Sequence, residues 1–390
     1  MKTKTITSLG QAVEFVKAAF EKYPERNGME ARIAAHAGHR RRWPVLYLMH
    51  LAVPGDTAAV PCDDECPTVD MPDTPQGRLA RDVAGLLAPL DMLNPILPAL
   101  GLGQGDGTLV TAFGIPLNPK LGNAPAFTRT IEEVLAEPPP DPRRAGLMPG
   151  MLERIDLIKT HLPPFFKIGL PDMQGPFNNA HAIVGEDALV GPSLTPESFR
   201  ALMDRITTYW IASRRLLLDR IGSDYQVPYD CNPLMAECSV NLVGPEVYRE
   251  HILPHDLRIV KELGPPRIHT CSGPHVFRET LAHLPLIETE CGYIPCAVAG
   301  YTAVDEAFAA VRGKPILLNI GQEVPADFAS AFEMIRKDLD LYAEHPRLTF
   351  GYTGMDWRWK DRPAICALHR RLDAYWEDKA LGAPAPDKRL

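Results

Sequence analysis

Arg267-Ile-His-Thr-Cys-Ser-Gly273, with the helical pattern Pro245–Leu263 before it and Pro285-Leu-Ile-Glu-Thr-Glu-Cys291 after it, is the stretch on which the fold turns. Arg267–Cys271 reads as a short buried strand followed by a helix, and Pro285–Cys291 as the next strand. A strand, a helix and a second strand in this order make a crossover unit, which places the two strands parallel in one sheet.

The same alternation extends in both directions. Further strands are expected at Pro44–His50, Thr108–Phe113, Phe165–Leu170, Tyr225–Cys231, Pro315–Ile320 and Leu348–Tyr352, which with the two above make eight. Helical patterns occupy Pro196–Ile221, with Phe199, Leu202, Met203, Ile206 and Tyr209 on one face, and Ala303–Arg312, Ala326–Ala343 and Arg362–Tyr375. Eight strand–helix units close most economically into an α/β (β/α)8 TIM barrel, with chemistry at the C-terminal ends of the strands. Leu9–Tyr23 carries Ala12, Val13, Val16, Ala19 and Phe20 at helical spacing, so residues 1–43 are expected as an N-terminal helical extension and 44–390 as the barrel. Gly55–Gly77 and Pro138–Met148 are expected as rim insertions, and Gly101–Gly107 as a flexible connection. The sequence contains no internal repeat and no interdomain linker.

Composition narrows the function. Of 390 residues, 45% are hydrophobic and 23% charged, with mean hydropathy of −0.12, as a globular chain requires. A net charge of −8 gives no overall cationic field for a phosphate backbone, which argues against a general nucleic-acid binder. No stretch approaches the roughly 20 apolar residues of a membrane span, and the N-terminus lacks an unbroken apolar leader core, so a cytoplasmic protein is expected. Its eight cysteines are then expected as buried thiols, metal ligands or nucleophiles.

Side chains alternate along a strand, so His269 and Cys271 leave the same face and an imidazole nitrogen and a thiolate can converge on one zinc ion. The alternative is a hydrogen-bonded histidine beside an inert core cysteine. Glu288 and Glu290 share a face of the following strand, where a buried carboxylate needs a partner or a cation, and one of them is expected to reach the ion. Cys291 and Cys296 are further ligand candidates, and Cys62 and Cys66 form an isolated C-x3-C pair. Leu170-Pro-Asp-Met-Gln-Gly-Pro-Phe-Asn-Asn179 joins a strand to a helix, making Asp172 a catalytic candidate and Gln174 and Asn178 substrate-binding candidates. The other reading of Asp172 is a turn or cap residue. Tyr229-Asp230-Cys231-Asn232 is read as another strand end, with Asp230 catalytic and Asn232 substrate-binding, while Cys231 and Cys238 are expected in the core. Tyr352, in the last strand, is a substrate-binding candidate. Neither Gly-x-Gly-x-x-Gly after a strand nor a Walker lysine loop occurs, so a nucleotide cofactor lacks support.

Asp172-Met-Gln-Gly-Pro-Phe, Val243-Gly-Pro-Glu-Val-Tyr through His251-Ile-Leu-Pro-His-Asp-Leu-Arg-Ile, Ile268-His-Thr-Cys-Ser-Gly and Lys314-Pro-Ile-Leu-Leu-Asn-Ile-Gly together resemble the uroporphyrinogen decarboxylase superfamily. The resemblance covers most of the chain after about Pro44. It lies nearest the zinc- and corrinoid-dependent methyltransferase branch, typified by methylcobalamin:coenzyme M methyltransferases, because His269 and Cys271 match that branch's His-x-Cys pair. The Arg-Gln-Ala-Gly-Arg segment of true decarboxylases is not found. Where the branch has a later zinc-binding cysteine, this chain reads Gly351-Tyr-Thr-Gly-Met-Asp-Trp357. Ile287-Glu-Thr289 resembles the glutamate strand of cobalamin-independent methionine synthase, which implies Glu288 as third ligand; Cys366 is another candidate. The resemblance implies a zinc-dependent methyltransferase moving a methyl group between a corrinoid, methylcobalamin on a partner protein, and a small-molecule thiol, in a homodimer. The alternatives are a metal-free decarboxylase or lyase, and a non-catalytic barrel acting as a binding subunit.

Overall fold

A computed structural model describes residues 5–24, 27–28, 45–48, 68–87, 90, 93, 96–102, 107–118, 120, 124–270, 273–291, 303–323, 327–342, 348–353 and 362–382. Its principal parallel strands are β1 (Val45–Leu48), β2 (Ala99–Gly101), β3 (Lys167–Gly169), β4 (Leu234–Ala236), β5 (Arg267–His269), β6 (Glu288–Cys291), β7 (Leu317–Glu323) and β8 (Leu348–Thr353), and Thr5–Ile6 and Thr68–Val69 form a further short parallel pair. The principal helices are α1 (Leu9–Lys22), α2 (Pro75–Ala84), α3 (Met148–His161), α4 (Pro176–Val184), α5 (Pro196–Ile221), α6 (Leu253–Leu263), α7 (Pro274–His283), α8 (Val304–Val311), α9 (Phe328–Tyr342) and α10 (Arg362–Gly382). The fold is mixed α/β with small parallel sheets. No helix among the described residues is long and apolar enough to cross a membrane.

Two compact units divide the chain. One comprises Met1–Leu51, Ala58–Leu97 and Arg312–Leu390. Here β7, β8 and β1 pair in parallel, with Gln322 opposite Tyr352 and Tyr352 opposite Leu48. Helix α1 begins where the Ser8 hydroxyl accepts the Gln11 N–H at 3.2 Å, an N-cap that satisfies an otherwise orphaned amide. Its buried Ala12, Val13, Val16 and Phe20 pack with α2, which is capped by Thr74 and opens on Pro75. Helices α9 and α10 pack on each other.

The other unit is Ala52–Thr57 with Pro98–Val311. Strand β2 pairs with β3, a parallel bridge joins Ile168 to Gln226, and β4, β5 and β6 follow in parallel register. The 26-residue α5 is the spine of its helical layer, packing with α3, α4 and α6 through a face that includes Phe199, Leu202, Ile206 and Trp210. The helical pattern Pro245–Leu263 is interrupted by a π-turn at Tyr248–Ile252, where the Leu253 N–H reaches back five residues to the Tyr248 carbonyl. Pro254 explains the interruption: it has no N–H with which to continue the ordinary ladder.

Two expected strands are corrected. Thr108–Phe113 is not a strand; Val110–Phe113 is a 3-10 turn that ends on Gly114 at φ 78°, with the Thr111 hydroxyl donating to the Thr108 carbonyl at 2.8 Å. The strand of that region is β2, three residues long. Tyr225–Cys231 contributes one bridge, at Gln226, and then a 3-10 turn over Pro228–Cys231; the strand proper, β4, begins three residues later.

Candidate functional site

Two of the sequence-predicted site residues lie in the segment that leads into β4. Asp230 and Asn232 precede β4 and lie at its N-terminal end. Asp230 is in a buried ion pair, its Oδ1 accepting from Arg267 Nη2 at 2.8 Å and its Oδ2 from the Leu170 N–H at 3.3 Å. Arg214, buried on α5, donates through Nη2 to the carbonyls of Asp230 and Asn232, and its burial pulls its pKa down to about 10. Asn232 Nδ2 donates to the Pro265 carbonyl at 2.9 Å. This cluster ties α5, the end of β3 and the entry to β5 together. Cys231, expected in the core, is exposed.

At the C-terminal ends the sequence-predicted groups fall into two sets. The first follows β3. Gln174 adopts a left-handed backbone, φ 51°, uncommon for a residue with a side chain. In that conformation its N–H and Nε2 both donate to Asp172, to Oδ1 at 2.9 Å and Oδ2 at 2.7 Å. Asn178 Nδ2 donates to Gln174 Oε1 at 2.6 Å, and Trp210 Nε1 donates to the Gln174 carbonyl at 2.8 Å. Asn178 Oδ1 accepts the Ser239 N–H at 2.7 Å, which links the turn to the segment after β4. Asp172 is thus both a turn residue, as one sequence reading had it, and a carboxylate held in one orientation at a strand end. Nearby, Nδ1 of His181 lies 3.0 Å from Ser239 Oγ, and burial depresses the imidazole pKa.

The second set is built on β5 and β6. Parallel register sets Glu288 opposite Arg267, so Glu290, two residues on, is level with His269. Glu290 Oε1 faces His269 Nδ1 and also accepts the Thr270 N–H at 2.9 Å. Glu288, expected beside the ion, is buried one layer lower, roughly 6–7 Å along the strand. The acidic residue that meets the histidine is therefore Glu290. A carboxylate on Nδ1 fixes that nitrogen as the N–H donor and makes Nε2 the basic one, the arrangement that orients metal-bound histidines.

This geometry fits His269 as a metal ligand. Among the described residues, no group of three or more His, Cys, Asp or Glu side chains is placed to hold a metal ion. Cys271, Cys62, Cys66, Cys296 and positions 354–357 lie outside the described residues. Tyr352 is placed by its backbone in β8, and its side chain is outside them too. Cys291 is buried in β6, Cys366 is buried in α10 and Cys238 is half-buried.

Sequence reasoning missed a buried acidic pair beside this set. Glu237, immediately after β4, has no exposed surface, and its N–H donates to the His269 carbonyl at 2.8 Å. Among the described residues, neither of its carboxylate oxygens has a hydrogen-bond partner. Asp256, on α6, is equally buried and accepts from the Tyr248 hydroxyl at 3.1 Å. Burial raises the pKa of both, Asp256 to about 7, and the neighbouring Asp256 adds to the effect on Glu237. Gly175 makes room for this pair, because a Cβ there would lie 1.8 Å from Glu237 Oε1. A buried acid in a mostly apolar segment carries no periodic signal; the only hint was Glu237 directly after an apolar Leu-Met-Ala run. A scan of family models finds no match to the chain, and a search of curated proteins finds none either.

Proposed function

We propose that the chain is a zinc-dependent methyltransferase on a closed (β/α)8 barrel, moving a methyl group between a methyl-corrinoid carried by a partner protein and a small-molecule thiol. The observation that carries this reading is the Glu290–His269 pair at the C-terminal end of β5, joined to the resemblance of Ile268-His-Thr-Cys-Ser-Gly to the methyltransferase zinc motif. Parallel strands that alternate with helices from β3 onward support the barrel.

Zinc, when bound, supplies an open Lewis-acidic position at which a thiol ionises near neutral pH. His269 and Cys271 would hold it. Glu290 keeps the proton on His269 Nδ1 and raises the basicity of Nε2. Asp172, fixed by Gln174, presents a carboxylate toward a hydrogen-bond-donating part of the substrate. The test is methyl transfer from methylcobalamin to a panel of thiols, followed by the absorbance change of the corrinoid. Transfer by the zinc-loaded protein, abolished in His269→Ala, is the expected result. No transfer to any thiol, from free or protein-bound methyl-corrinoid, overturns the reading.

The same pair favours one second reading. A carboxylate-oriented imidazole is also a general base, and a metal-free lyase or decarboxylase would use His269 Nε2 to move a proton. Turnover of a carboxylated substrate that is indifferent to chelators and lost in His269→Ala distinguishes it.

A further inference from the structure

Ser239 lies in the 3-10 turn Cys238–Leu242 that follows β4. The backbone leading to it is fixed, since the Glu237 N–H donates to the His269 carbonyl at 2.8 Å and the Val240 N–H to the Glu237 carbonyl at 3.1 Å. Two side chains of α4, three residues apart and so on one face of the helix, then take hold of Ser239 by different atoms. Asn178 Oδ1 accepts its N–H at 2.7 Å, and His181 Nδ1 lies 3.0 Å from its Oγ. The Asn178 contact is itself braced: Asn178 Nδ2 donates to Gln174 Oε1 at 2.6 Å, and Gln174 is bound in turn to Asp172 and to the Trp210 indole. Read in the sequence as substrate contacts, Gln174 and Asn178 here bond each other and the backbone of Ser239.

A serine hydroxyl is a weak nucleophile until a neighbouring base takes its proton, and the two must come within about 2.6–3.2 Å. The Ser239–His181 contact meets that requirement. In the neutral ring with its hydrogen on Nε2, the lone pair is on Nδ1 and accepts from the hydroxyl. Both residues are half-buried, so water could satisfy either group and burial does not enforce the bond. Burial does hold the imidazole pKa below its ordinary 6.5, which keeps the ring in its proton-accepting form at neutral pH. Among the described residues, no carboxylate backs the ring, so the base is a modest one and suits an ester better than an amide.

We propose that Ser239 and His181 form a further reactive centre, nucleophile and general base, which takes the acyl group of small carboxylic esters and needs no metal. Ser239 Oγ bonds the ester carbonyl carbon as its proton passes to His181 Nδ1. That proton then goes to the departing alkoxide, which leaves as the alcohol. Water adds to the acyl carbon and gives a proton to Nδ1; the carboxylic acid leaves, and the proton returns to Ser239 Oγ. The sum is ester and water to acid and alcohol, with no oxidant or cofactor.

The experiment uses the full chain and two probes, a fluorophosphonate that traps activated serines and p-nitrophenyl acetate as an ester substrate. Both assays run with a chelator present, so failure of the zinc reading leaves them standing. Peptide mass is expected to place the fluorophosphonate adduct on Ser239, and Ser239→Ala is expected to lose it. In His181→Ala the labelling rate is expected to fall about 100-fold or more, the lower range for loss of a general base. A histidine that only packs against Ser239 would not shape the pH profile; as the base, it makes the labelling rate rise with a single apparent pKa below 6.5 and level off above it. Release of p-nitrophenolate above the uncatalysed rate is expected in wild type and is absent in Ser239→Ala. No adduct on Ser239, an adduct that forms equally fast without His181, or ester cleavage unchanged in Ser239→Ala overturns the proposal. Should His181→Ala not unfold cooperatively, His181→Gln, which keeps a polar side chain but no base, is read in the same assays.

Discussion

In the proposed site Glu290 has a narrow task, to hold one proton on His269 Nδ1, and its removal is correspondingly specific. Glu290→Gln keeps the size but exchanges a charged acceptor for a neutral one that can also present a donor to Nδ1. Zinc affinity is expected to fall about 10–100-fold, measured by competition with a chromophoric chelator, with little change in the unfolding midpoint. An unchanged affinity would mean that His269 does not bind metal through Nε2. Gly175 tests packing at the neighbouring position. The Cβ of Gly175→Ala meets Glu237 Oε1 at 1.8 Å and the Ala236 carbonyl at 2.8 Å, and the backbone cannot yield as a side chain would. A loss of roughly 1–3 kcal/mol or more is expected in urea unfolding, the ordinary penalty for overpacking.

At the scale of elements, the buried Asp230–Arg267 pair separates a structural role from a catalytic one. It joins the segment before β4 to the first residue of β5, and Arg214 of α5 donates to carbonyls of that same segment. Asp230→Asn leaves Arg267 with an uncompensated buried charge, so a loss of about 3–5 kcal/mol is expected in chemical denaturation. Metal affinity, measured on the folded variant, is expected to stay at the wild-type value; a loss of affinity without a loss of stability would restore Asp230 to the active site. Elements also show what was legible in the sequence. Apolar runs bounded by proline and glycine located β5, β6, β7 and β8 to within a few residues, and Pro196–Ile221 was read to its ends. Leu109-Val-Thr-Ala-Phe113 has strand composition, but Gly114 in a left-handed conformation closes it as a 3-10 turn. Strand β2 is too short, at three residues, to show any alternation. The misreading at Tyr225–Cys231 hid that Asp230 and Asn232 precede β4 rather than end a strand. The placement of His269 and Gln174 at or just past strand ends was readable from those runs. Glu290's place beside His269 depends on inter-strand register, and the Glu237–Asp256 pair on tertiary burial, neither of which leaves a mark in local pattern.

For the whole molecule, the buried Glu237–Asp256 pair couples stability to pH. Both carboxyl groups keep their protons to higher pH folded than unfolded, because burial disfavours the charged form, although the Tyr248 hydroxyl opposes this at Asp256. As pH rises from the ordinary carboxyl value of 3.8 to about 7, the unfolded chain releases a proton that folded Asp256 retains. Stability contributed by this group therefore declines across that window and levels off above it. Urea midpoints are expected to fall between pH 5 and pH 8 in wild type and to fall less in Asp256→Asn; parallel profiles would contradict the assignment.

The central claim is that His269 and Cys271 hold a metal at the C-terminal end of β5, and metal content tests it most directly. Elemental analysis of protein purified without added metal, and again after zinc reconstitution, is predicted to give about one zinc per chain in wild type and none in His269→Ala/Cys271→Ser. Wild-type protein that carries no zinc after both treatments would contradict the account.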